Sequence, residues 1–315
     1  MIQTQCKSQL SRETNLHSNE HPERKSPKQE RSCILNILFC ALFAISAALC
    51  SGWIKQSAVD AYNKGLEFYE KGQAQKAAEC FKVAAEKGLK EAQNNLGYCY
   101  YKGIGVAKNY EEAVKWFSKA ANQGVAEAQY NLGCLYQNGL GVTQSYAEAV
   151  KWFSKAANQG AAAAQHNLGC LYQDGLGVTQ SYAEAVKWFS KAANQGVAAA
   201  QFNLGCLYQD GLGVTQSYAE ALKWHIKAAN QGYKKSYSSV GFCYYQTKAY
   251  SKAFYWSKKA AATGDKDAMF LLGIMYGAGQ GVKENERIAI QWLRKAAQKG
   301  QQDAQKFLKE NGIKY

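Results

Sequence analysis

The stretch GCLYQNGLGVTQSYAEAVKWFSKAANQG at residues 133–160 returns as GCLYQDGLGVTQSYAEAVKWFSKAANQG at 169–196. One residue of 28 differs, Asn138 against Asp174, and the same run begins a third time at Gly205. Such self-similarity at a fixed period means stacked copies of one supersecondary unit, so the fold is read from the unit and its count. Leu-Gly pairs stand at 96/97, 132/133, 168/169 and 204/205, a period of 36. The register continues through Val240-Gly241 and Leu272-Gly273 to Leu308-Lys309, and runs back to Lys64-Gly65. Tryptophan keeps step at 116, 152, 188, 224, 256 and 292.

Within a unit the spacing predicts two helices, A and B. Ala128, Leu132, Leu135 and Tyr136 fall on one stripe at helical period. Asn138-Gly139 ends helix A, because glycine takes the left-handed C-terminal conformation at little cost. Ser145 with Glu148 reads as a capping box that opens helix B, repeated as Ser181/Glu184 and Ser217/Glu220. Helix B then buries Ala149, Trp152, Phe153 and Ala156 and ends at Gly160, with Lys151 and Lys155 pointing outward. The units around 61–88 and 236–264 lack the G-x-GV loop. The last unit has helix A alone, Asp303 to Asn311, which reads as a cap on the open end.

Composition agrees with a repeat. The 315 residues include 28 Gly but only 2 Pro, Pro22 and Pro27, so nothing later is broken by proline. With 47% hydrophobic residues the chain is neither collagen-like nor disordered as a whole. None of the ten cysteines forms a CxxC pair, which removes zinc-ribbon and thioredoxin-type readings.

The pattern A-x-x-x-LG-x-x-Y-x-x-G-x-GV followed by A-x-x-W-x-x-KAA-x-x-G resembles the Sel-one-like repeat family, a relative of the tetratricopeptide repeat. The match covers about residues 58–313. The resemblance implies an all-α, right-handed superhelical solenoid of antiparallel helix pairs, about seven pairs plus a cap, that binds proteins and carries no chemistry. Some bacterial relatives staple helix A to helix B through two cysteines per unit. Here the clean units have one each (Cys134, Cys170, Cys206), so that staple is absent. Equivalent cysteines in neighbouring units lie about 10 Å apart, beyond the roughly 7 Å limit for a disulfide, so free thiols are expected.

Ahead of the repeats, residues 1–31 hold six Lys/Arg and four Glu and read as a disordered cytoplasmic tail. Next comes SCILNILFCALFAISAALCSGWI, 32–54, which is 23 residues without a charge. A bilayer core about 30 Å thick needs about 20 apolar residues in a helix. Lys25, Lys28 and Arg31 precede the stretch, which favours a single-pass anchor with a cytoplasmic N-terminus and extracytoplasmic repeats. The alternative is a signal cleaved near Ser46-Ala47-Ala48, giving a secreted protein. Free thiols sit awkwardly with either oxidising destination.

Taking Leu132 as the core direction, positions 127, 130, 134 and 137 of helix A fall on the opposite side. Near-identical units differ there: Tyr130 becomes His166 and then Phe202, and Glu127 becomes Ala163 and Ala199. Cys134, Cys170 and Cys206, and Gln137, Gln173 and Gln209, repeat unchanged. Extending the register adds Tyr62, Tyr69, Asn94, Tyr98, Tyr101, Phe242, Tyr245, Phe270 and Ile274. This row is expected to line the concave face and to bind a peptide or protein, with aromatics supplying area and glutamines adaptable hydrogen bonds. The plainer alternative is that adjoining A helices bury these aromatics against one another.

The net charge of +14 is uneven. Residues 125–232 hold six Lys and six acids, whereas 233–315 hold fifteen Lys/Arg and six acids. That leaves an acidic partner open for the C-terminal end, beside the simpler reading of a solvated face. No nucleic-acid module accompanies the charge, so nucleic acid is not the expected partner. His17, His21, His166 and His225 form no motif with Cys or acids, and no HExxH, GxSxG or P-loop is present. No catalytic residue, metal site or cofactor is expected. A hydrolase acting on cell-wall material, built around His166 and Cys170, is the alternative of another class.

Overall fold

The computed structural model describes residues 52–314. The tail at 1–31 and the hydrophobic segment at 32–54 lie outside the described residues, except for Gly52, Trp53 and Ile54. Among the described residues no helix is long and apolar enough to cross a membrane.

The described residues form fifteen helices and no strand. The first, α1, runs over 52–70. There follow α2 (Ala74–Glu86), α3 (Lys90–Lys102), α4 (Tyr110–Asn122), α5 (Ala126–Asn138), α6 (Tyr146–Asn158), α7 (Ala162–Asp174) and α8 (Tyr182–Asn194). The series continues with α9 (Ala198–Asp210), α10 (Tyr218–Asn230), α11 (Ser236–Gln246), α12 (Tyr250–Ala261), α13 (Lys266–Gly277), α14 (Glu286–Gln298) and α15 (Gln302–Glu310). Odd-numbered helices are the A helices and even-numbered ones their B partners. From Ala58 onward the chain is one unit in which each helix packs mainly on the helices before and after it, which is the solenoid arrangement.

The A–B joint depends on the glycine of the Leu-Gly pair. A Cβ on Gly133 would lie 2.7 Å from the Phe153 ring, and Gly97 meets Phe117 and Gly169 meets Phe189 in the same way. The missing side chain lets a fully buried phenylalanine of helix B lie directly on the backbone of helix A. Leu96, Leu132, Leu168, Leu204 and Leu272 are buried beside this contact.

Tryptophan joins one repeat to the next. Trp152 belongs to the cluster of Phe117 and Leu132, and Trp188 to that of Phe153 and Leu168. Trp116, Trp152 and Trp188 are buried, whereas Trp224, Trp256 and Trp292 are only half-buried, so the expected core position loosens toward the C-terminal end. The outward lysines cover these rings: Lys119 Nζ lies 4.0 Å from the Trp116 centroid and Lys155 Nζ 4.2 Å from that of Trp152.

Helix B starts differently from the capping box read in the sequence. Ser145 Oγ accepts the Glu148 amide at 3.3 Å, as expected. The return arm is absent, because the Ser145 amide donates to the Tyr136 carbonyl at 2.9 Å. The Glu148 carboxylate instead accepts from Lys151 Nζ at 3.0 Å and from Trp152 Nε1 at 3.1 Å. The loop supplies the partner that the glutamate would otherwise give, which releases the glutamate to hold the tryptophan.

A line of buried glutamines ties repeats together, and the sequence reading did not include it. Gln165 Nε2 donates to the Ala157 carbonyl at 3.1 Å, at the C-terminal end of the preceding B helix. Its Oε1 accepts from Gln195 Nε2 at 2.8 Å. Gln93, Gln129 and Gln201 repeat the arrangement with Gln123, Gln159 and Gln231. Gln165→Ala strands a buried carbonyl and an amide, so it is expected to cost about 2 kcal/mol, measured by denaturant unfolding.

Candidate partner-binding face

The residues of helix A opposite its Leu-Gly stripe recur at the repeat period and form three columns along the solenoid. The first holds Tyr62, Asn94, Tyr130, His166, Phe202 and Phe270. The second holds Tyr98, Cys134, Cys170, Cys206, Phe242 and Ile274. The third holds Tyr69, Tyr101, Gln137, Gln173, Gln209 and Tyr245. Most are half-buried, while Tyr69 and Tyr98 are exposed at 49% and 37%. Asn94 is the exception: it is 5% exposed and donates to Glu127 Oε2 at 3.1 Å, so it lies beneath the face.

The first column rests on helix B of its own repeat rather than on its neighbours in the row. Tyr130 stacks on Phe153 with centroids 5.8 Å apart, His166 on Phe189 at 5.7 Å, and Phe202 on His225 at 5.5 Å. Phe202 also meets Tyr233, with centroids 5.5 Å apart.

An asparagine on the next A helix stitches the row. Asn95 Nδ2 donates to Tyr62 Oη at 3.2 Å, and Asn203 Nδ2 to His166 Nε2 at 3.3 Å. The register positions that follow Asn203 are Ser239, Leu271 and Phe307. Ser239 stands opposite Phe202, whose ring has no polar atom to bond, and Leu271 and Phe307 have none themselves. The stitch therefore stops at α11.

The cavities of this face lie farther toward the C-terminal end. A cavity of about 460 Å³ is lined by the expected residues Gln209, Phe242, Tyr245, Phe270 and Ile274, together with Leu271. Ser238, Ser239, Gln246, Asp267 and Asp303 complete its rim. Phe270 and Ile274 also border a second, more apolar cavity of about 510 Å³ with Ile290, Leu293, Phe307 and Ile313. The structure thus gathers the C-terminal members of the row into one site. Tyr62, Tyr98, Tyr101, Tyr130 and His166 line neither cavity. Asp267 and Asp303 were missed, although they stand in the register of Glu127 and extending that column would have found them.

The chemistry of the row is quiet. Cys170 Sγ lies 3.7 Å from His166 Nε2, the approach a Cys–His nucleophile would need. Burial, however, pushes the Cys170 thiol up to about 11 and holds His166 below the usual histidine range. At neutral pH the pair is therefore thiol and neutral imidazole, not thiolate and imidazolium. Cys99 is pushed up to about 11, and Cys206 and Cys243 to about 12, also by burial. The six cysteines among the described residues are free. No three His, Cys, Asp or Glu side chains among the described residues come together to hold a metal ion.

Helix hairpins stacked in series, with glycine at the A–B crossing and tryptophan at the repeat joint, define an α-solenoid. The chain belongs to the Sel1 repeat family: the family's repeat model matches residues 56–89, 90–125, 126–160, 162–197, 198–233, 241–265 and 266–301. The chain is similar to a protective antigen of uropathogenic Escherichia coli with this repeat fold, at 36% identity over 79% of the chain and a TM-score of 0.72. It spans 55% of that antigen's length. It is also similar to a Sel1 repeat protein from Oxalobacter formigenes, at 34% identity and a TM-score of 0.60, over 75% of this chain and 96% of the other. No curated protein matches the sequence.

Proposed function

We propose that the chain is a membrane-anchored scaffold that binds a protein or peptide along its A-helix face. The observation that carries this reading is the row of half-exposed aromatics that opens into apolar cavities at Phe242, Phe270 and Ile274. A groove of this kind is what a partner side chain fills, and aromatic anchors in such places carry most of the binding energy. Repeat solenoids also present such a face as one extended surface, suited to a long ligand.

The test is capture by the full chain compared with a variant carrying Tyr98, Tyr101, Phe202 and Phe242 as alanine. Loss of two or more anchors is expected to weaken the captured partner by more than about thirtyfold. Lys151→Ala on the outer side of a B helix serves as the control and is expected to change nothing. Recovery of the same partners at the same strength by both variants sinks the groove.

The anchor rests on the 23 uncharged residues at 32–54 and the basic residues before them. A reporter fused after Tyr315 is expected to be active only outside the cytoplasm. Activity inside the cytoplasm removes this part of the reading.

A further inference from the structure

We propose that the cavity between α11, α13 and α15 takes a peptide segment in which an apolar side chain is flanked by lysine or arginine. The inference rests on the peptide-binding reading of the A-helix face and adds to it the chemistry of the partner.

The floor of the cavity is apolar: Phe242, Phe270, Leu271 and Ile274. An apolar side chain entering it removes water from both surfaces, which is the general source of affinity in such pockets. The rim has two unlike sides. Gln209, Tyr245 and Gln246 stand toward the C-terminal ends of their A helices, where their polar atoms can bond a passing backbone. Asp267 and Asp303 stand in the first turns of α13 and α15, one repeat apart.

These two carboxylates are exposed, and neither makes an ion pair among the described residues. Asp303 Oδ2 accepts only from Gln301 Nε2, at 3.2 Å. That is notable because the surrounding end of the chain is rich in lysine. The nearest one in sequence, Lys266, donates to the Gly300 carbonyl at 3.1 Å and does not line the cavity. Lys235 holds the equivalent register position one repeat earlier and does not line the cavity. Lys258, Lys259, Arg294 and Lys295 belong to the B helices α12 and α14. The charged residues that line the cavity are Asp267 and Asp303, with Lys266 and Lys306 near them in sequence but outside the lining.

Charge complementarity selects the occupant. A cationic side chain beside the apolar anchor meets Asp267 or Asp303, whereas an acidic one meets two like charges. Ion pairs at an exposed rim are weak individually, so they choose the partner while the apolar floor holds it.

The probe is a dye-labelled, N-acetylated peptide Gly-Ser-Lys-Phe-Leu-Lys-Ser-Gly, with fluorescence polarisation read on the full chain. Three results are expected. Exchange of both peptide lysines for glutamate weakens binding by about tenfold or more. The double variant Asp267→Asn/Asp303→Asn weakens the lysine peptide by about fivefold with the helical circular dichroism unchanged. The double variant Asp267→Lys/Asp303→Lys reverses the preference and takes the glutamate peptide better. Equal binding of both peptides, or no effect of either double variant, overturns the proposal.

Tighter binding of the lysine peptide after deletion of residues 2–31 assigns the cavity to the chain's own tail and also overturns it. So does concentration-dependent dimerisation in sedimentation that Phe270→Asp abolishes, since a second copy then fills the site. Capture that is lost with the aromatic variants but unmoved by both aspartate variants leaves the binding face standing and removes this inference alone.

Discussion

Gly177→Ala is expected to lower stability by about 3 kcal/mol, although it adds a single methyl group. Gly177 is the second glycine of the loop between α7 and α8, with φ +72°, a conformation that costs an L-residue about 1 kcal/mol or more. The larger part is steric. A Cβ here would lie 2.3 Å from the Tyr146 carbonyl carbon and 2.5 Å from the Ala147 amide nitrogen. Both are backbone atoms at the start of α6 in the preceding repeat, so no rotamer change relieves the overlap. The loop must lift off its neighbour and open the joint between repeats. Gly196→Ala separates the two contributions. Its φ is +90° but nothing lies within 4 Å of the added atom, so it is expected to lose only the conformational part. In thermal melting followed by circular dichroism, Gly177→Ala is expected to fall by roughly 5–10 °C and Gly196→Ala by a few degrees. Equal losses for the two would show that the loop-to-helix contact carries no stability.

His225→Phe is expected to stabilise the chain by about 2 kcal/mol at pH 7, and by more as the solution is acidified. His225 sits where Phe117, Phe153 and Phe189 sit in other repeats and is 0% exposed. Neither ring nitrogen has a hydrogen-bond partner. Its contacts are apolar: the Gly205 backbone and the Phe202 ring. Burial lowers its pKa to about 4, from the ordinary 6.5. The unfolded chain therefore binds the proton more readily than the folded one. Stability is fully present above pH 6.5 and is lost progressively as pH falls through the window down to about 4. The loss amounts to about 3 kcal/mol at completion. The phenylalanine variant removes both the unpaired nitrogens and this titration. Urea unfolding at pH 7 and at pH 5 checks it: the stability gap between the native chain and the His225→Phe variant should widen at the lower pH. A constant gap would mean that protonation is relieved by water entering the site.

The repeat, its period and its helix pairs were legible because each rests on local chemistry. Gly139 stops helix A by backbone preference, Ser145 starts helix B by capping an amide, and the Leu-Gly and tryptophan registers mark the buried stripe. Less visible were contacts in which one repeat uses an atom of another. The Glu148 carboxylate could not be assigned to Trp152 until the Ser145 amide was seen to be satisfied by the Tyr136 carbonyl. The glutamine line was missed because glutamine in a helix reads as a solvated residue, and its acceptor, the Ala157 carbonyl, belongs to another helix.

The candidate site divides in the same way. The helical wheel put Phe242, Tyr245, Phe270 and Ile274 on one face, and they do share a cavity. The wheel could not weight them against Tyr62, Tyr130 or His166, since all have the same phase. It also put Asn94 on the surface, where the structure pairs it with Glu127 beneath the face.

By itself, then, the sequence determined the architecture: an α-solenoid of paired helices stacked at a fixed period. Periodicity decides this, because a unit that cannot bury its stripe alone must stack on its copies. Only the tertiary structure decided where the A-helix face is deep. The cavity forms where Phe242, Phe270 and Ile274 of successive A helices meet, while elsewhere Asn203 of one A helix reaches His166 of the one before. That difference is one of distance between side chains 33 to 37 residues apart, and no local pattern records it.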